Sequence, residues 1–98
     1  MSEARAVYVG DRATLEQVTA AMAAWQKQTG DVTEYAVGTD GDGYPGMGLA
    51  IDVYAANDAE QLAARDRIAV GIRPLLDKIP VATDSDLDQR ILTGVDRR

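Results

Sequence analysis

The chain has 98 residues, no Cys and no His, with ten Lys+Arg against sixteen Asp+Glu for a formal net charge of −6. That length supports one domain, expected to span 1–98, whose single core needs no disulfide or metal staple. Without thiol or imidazole there is no disulfide, no thiolate or imidazole metal ligand and no histidine-based triad, so neither a metal nor another cofactor is expected. The acidic balance argues against a nucleic-acid partner, which calls for a basic face.

No stretch reaches the ~20 apolar residues of a membrane span, and the opening Met1-Ser2-Glu3-Ala4-Arg5 lacks the form of a secretory signal. A cytoplasmic protein without a membrane partner is therefore expected. Phe is absent and the aromatics are Trp25 and four tyrosines, so aliphatic residues and alanine must fill the core.

In chain order, Arg5–Val9 is rich in strand formers and stops at Gly10-Asp11, which predicts a first strand. Thr14-Leu15-Glu16-Gln17 has the form of a capping box. Leu15, Val18, Met22 and Trp25 follow at spacings of three and four, and Gly30 is placed to end the helix in a left-handed cap. The second strand is expected over 32–37, with Val32, Glu34 and Ala36 on one face. The third, over 48–54, turns Leu49, Ile51 and Val53 inward and Ala50, Asp52 and Tyr54 outward. The glycine-rich tract 38–48 between them is too short for a parallel crossover, so the pair is expected to be antiparallel.

Asn57-Asp58-Ala59-Glu60 opens a second helix with a polar cap and an acidic first turn. Its expected apolar stripe is Leu62, Ala69, Ile72, Leu76 and Ile79, interrupted at Arg65 and Asp66. Pro74 predicts a kink or break near 70–73. Val81-Ala82-Thr83 reads as a short strand, and 85–93 suits a strand or a short helix. The resulting order is β-α-β-β-α-β, an α+β two-layer sandwich with an antiparallel or mixed sheet under two helices, as in the ferredoxin-like layout.

Gly41-Asp42-Gly43-Tyr44-Pro45-Gly46 matches G-x-G-x-x-G, but a strand rather than a helix follows it, and Asp40 and Asp42 would repel phosphate. Those two carboxylates suit a hard cation better and define a possible loop site, although Tyr44 stands where an EF-hand has its third ligand. Asp52, in mid-strand with Glu34 on the preceding strand, is a candidate for paired-carboxylate chemistry. Tyr8, Tyr35 and Tyr54, with Asp52, form the expected interaction face, since tyrosine is enriched at protein interfaces.

The segment Pro45-Gly46-Met47-Gly48-Leu49-Ala50-Ile51-Asp52-Val53 resembles part of the zinc D-alanyl-D-alanine carboxypeptidase and cell-wall endopeptidase family, which carries His-x-x-Gly-x-Ala-x-Asp on a strand. The resemblance covers about residues 32–60, with Gly48, Ala50 and Asp52 matching. It implies that Asp52 stands where the family has a zinc-ligating carboxylate. The first zinc histidine falls at Pro45 and no other histidine is present, so what is implied is a zinc-less relative that binds cell-wall peptide. Three readings result. The first is a non-catalytic interaction or assembly domain, self-associating or binding another protein as structural subunit, adaptor or inhibitor. The second is that peptidase relative. The third is a small-molecule or cation-binding enzyme using Asp40, Asp42 and Asp52 with Tyr54.

Overall fold

The computed structural model of the chain describes residues 5–39 and 46–84. The elements run β1 (Arg5–Val9), α1 (Leu15–Thr29), β2 (Glu34–Gly38), β3 (Leu49–Tyr54), α2 (Asp58–Ile72), a single 3-10 turn (Arg73–Leu75) and β4 (Val81–Thr83). The possible cation site at Asp40 and Asp42 and the strand-or-helix segment 85–93 lie outside the described residues.

Local chemistry sets the helix ends. Gln17 N–H donates to Thr14 Oγ1 at 3.1 Å while Thr14 N–H donates to Gln17 Oε1 at 2.8 Å, completing the capping box. At the other end Gly30, at φ 75°, takes the left-handed conformation and donates its N–H to Gln26 O at 2.8 Å. Asn57 Oδ1 caps α2 by accepting from Glu60 N–H at 2.9 Å. The expected break arrives at the end of α2: the helix continues through Ile72 and tightens into the 3-10 turn that holds Pro74. A proline at 74 crowds the carbonyl of Val70 and cannot donate to it, so the α-helical ladder stops there.

Among the described residues the sheet has four strands in the order β2-β3-β1-β4, every neighbouring pair antiparallel. β1 and β2 therefore run parallel on either side of β3, the split βαβ arrangement of the ferredoxin-like fold. Val7 stands opposite Ile51, Tyr8 opposite Ala82, and Ala36 opposite Asp52. Because side chains alternate along a strand, this register sends Val7, Val9, Leu49, Ile51 and Val53 to one face. There they pack with Val18, Met22 and Trp25 of α1 and Ile68 and Ile72 of α2.

The two helices approach closely beside Trp25. A Cβ built on Gly71 would overlap the Trp25 indole, so any larger residue there forces the ring or a helix to shift. The buried face of α2 is Gln61, Ala64, Arg65, Ile68, Ala69 and Ile72; of the expected stripe, Ala69, Ile72 and Leu76 are buried and Ile79 packs against the core, and the correction falls at Leu62 and Arg65. Leu62 is only half-buried, and Arg65, expected to interrupt the stripe, is 6% exposed and part of it. The helix can turn these polar residues inward because each finds a partner. Gln61 Nε2 donates to Val53 O at 3.1 Å, and Arg65 Nη1 donates to Asp84 Oδ1 at 3.0 Å.

Candidate functional site

The sheet face turned away from the helices is divided. On its β1–β4 side Ala6, Tyr8, Met47, Ala50 and Ala82 form a second buried cluster. On its β2 side Glu34, Ala36, Gly38 and Tyr54 are exposed and Asp52 is half-buried. Among the described residues that face is therefore open only on its β2 side.

The expected tyrosine strip does not form. Tyr8 points away from the helices as alternation requires, yet it is 4% exposed within the second cluster. Tyr35 stands opposite Val53 and packs half-buried against the helix-side core, because it shares the parity of Val37 and not that of Glu34 and Ala36. Only Tyr54, 47% exposed and opposite Glu34, lies open on the expected face. The residue opposite Asp52 is Ala36, so Glu34 and Asp52 do not face one another directly across the strands. Of the residues shared with the peptidase motif, Ala50 is buried. Gly48 touches the loop after β1, where an added Cβ would meet Asp11 Oδ1 at 2.5 Å. Among the described residues no group of three His, Cys, Asp or Glu is placed to hold a metal ion.

A cluster that sequence reading missed braces the entry to β2. Asp31 Oδ1 accepts from Thr33 N–H at 2.9 Å and from the Thr33 hydroxyl, while Arg67 Nε donates to Asp31 Oδ2 at 3.0 Å. Arg67 Nη2 also reaches Thr33 Oγ1 at 3.3 Å, and Gln26 Nε2 donates to Thr33 O at 2.9 Å. Burial would raise the Asp31 carboxyl, but the hydrogen bonds from Thr33 and the Arg67 guanidinium outweigh it and hold its pKa below the usual value. The signal was available in Gly30-Asp31-Val32-Thr33, where an Asp after a helix-ending glycine reaches the backbone two residues on. Between the two anchored residues Val32 is 90% exposed. An open hollow beside the cluster is lined by Glu34, Tyr54, Glu60 and Arg67.

The other edge is built differently. Val81, Ala82 and Thr83 of β4 are all buried. Pro80 O faces β1, where it accepts from Gly10 N–H at 2.9 Å, so alternation turns Val81 O outward, and Arg73 Nη2 donates to it at 3.0 Å. Just beyond the strand, Arg65 bridges Asp84 at 3.0 Å and Asp66 at 2.9 Å. Burial works against the charge on Arg65, but the two carboxylates prevail and raise its pKa.

Comparison with protein-family models, curated proteins and solved structures gives no match for the chain.

Proposed function

We propose that the chain is a non-catalytic interaction domain that acts by self-association. The observation that carries this reading is the state of β2. Among the described residues it is an edge strand of the sheet, and Glu34, Ala36 and Gly38 are exposed along it. An edge strand presents unpaired N–H and C=O groups to any strand able to lie beside it, and proteins that avoid such pairing place Lys, Pro or a bulge there. Glu34-Tyr35-Ala36-Val37-Gly38 contains no Lys or Pro and a single charge. Exposed Val32 and Tyr54 flank it with apolar surface. The Asp31–Thr33–Arg67 cluster supports the same reading, because it orders the start of the strand before any partner arrives and so lowers the entropy lost on association.

Sedimentation equilibrium from low micromolar to millimolar concentration tests the proposal. The weight-average mass is expected to rise with concentration. A strictly monomeric species over that range would contradict the reading.

A further inference from the structure

Building on that self-associating role, we infer that two copies join through β2 in one register, antiparallel and centred on Ala36, so that the four described strands of each copy form one continuous sheet. The argument starts from the five residues of the strand, Glu34–Gly38. Pairing centred on their midpoint is the register that matches all five with residues of the other copy. Glu34 then stands opposite Gly38 of the other copy, Tyr35 opposite Val37, and Ala36 opposite Ala36. No charge meets a like charge. A parallel arrangement in register would instead set Glu34 against Glu34, which is unfavourable for directly opposed residues.

The side chains agree with this register on both faces. Tyr35 and Val37 lie on the helix side, half-buried against the core of their own copy, and across the seam they make two aromatic to β-branched pairs. On the open face the central pair is alanine against alanine, so nothing bulky stands between the two copies. A slip of one residue would set Ala36 against Val37 and put the helix layers of the two copies on opposite sides of the sheet. The Ala36-centred register keeps all four helices on one side. Each copy carries a formal charge of −6, so general repulsion opposes the pairing and salt is expected to tighten it.

The chain has no native cysteine, which makes single-cysteine cross-linking unambiguous. In the inferred register the two Ala36 side chains stand directly opposite, at the ~4.5–5.5 Å Cβ spacing of facing strand residues, within reach of a disulfide after modest adjustment. Ala36→Cys is expected to give a covalent dimer on mild oxidation. Glu34→Cys and Gly38→Cys are each expected to cross-link poorly alone and efficiently when mixed. Thr19→Cys, on the exposed side of α1, serves as the control for collisional cross-linking. In parallel, Ala36→Lys and Ala36→Glu should each weaken association at least tenfold, and an equal mixture of the two should restore it. Thermal melts report that each variant is folded. If the unmodified chain associates but Ala36→Cys cross-links no better than the control, or Ala36→Lys still associates, this register is overturned while self-association stands. If the unmodified chain does not associate at all, both fall.

Discussion

Among the described residues, the two edges of the sheet meet water in opposite ways. At β4 every residue is buried, an arginine takes the outward carbonyl of Val81, and Arg65 ties the chain beyond the strand to α2. At β2 alternate residues are exposed, and the bracing is confined to the residues just before the strand. Both edges pose the same problem of unpaired backbone groups. β4 has its outward Val81 carbonyl paired within the chain, whereas β2 is braced at its start and, among the described residues, has no strand on its outer side.

Substitutions can break that contrast, and the largest effect is expected at β4. Arg65→Ala removes a guanidinium whose side chain is 7% exposed and leaves Asp84 without it, which should cost about 3 kcal/mol in urea unfolding. A loss well under half of that would mean that Arg65 does not hold the β4 side together. Gly71→Ala lies away from both edges and drives a methyl into Trp25, so a loss of about 2 kcal/mol is expected despite the better helix propensity of alanine. Unchanged stability there would show that the helices separate easily. Arg73→Ala frees the Val81 carbonyl and should cost about 1 kcal/mol. At the open edge, by contrast, Ala36→Lys is expected to shift monomer stability by less than about 0.5 kcal/mol, because the side chain is exposed. A large destabilisation measured at dilution would show that β2 is not free.

The smallest effect concerns pH. The Asp31 carboxyl has a folded pKa below its ordinary value, so the unfolded chain binds its proton more readily. Its contribution to stability is complete above the ordinary carboxylate range and is lost as pH falls through the depressed folded value. Melting temperature measured from neutral pH downward should fall less steeply over that range for Asp31→Asn than for the parent chain. Identical acid limbs would remove Asp31 from the account of β2.

The fold was largely legible in the sequence because its signals are local. Thr14 and Gln17 announce the start of α1 and Gly30 its end, Pro74 limits α2, and the inward run Leu49, Ile51, Val53 emerges from simple alternation. The candidate site was less legible because it depends on register and on partners distant in sequence. Alternation groups Tyr35 with Val37, but the side they take follows from Val53 standing opposite. The outward direction of Tyr8 was readable and its burial was not, since burial depends on what the fold brings over that face. Arg65 looked like a break in an apolar stripe because Asp84, the partner that allows it inside, is 19 residues away. The open edge itself was anticipated only in kind: a β-α-β-β-α-β order leaves edges, and the sheet pairing alone assigns them to β2 and β4.

Hydrogen exchange resolved by strand tests the contrast between the edges most directly. With rising protein concentration the outward amides of β2, those of Tyr35 and Val37, should become progressively protected while those of Val81–Thr83 stay unchanged. Protection of β2 that is independent of concentration, or a concentration-dependent gain at β4 instead, would contradict the assignment of β2 as the edge where copies meet.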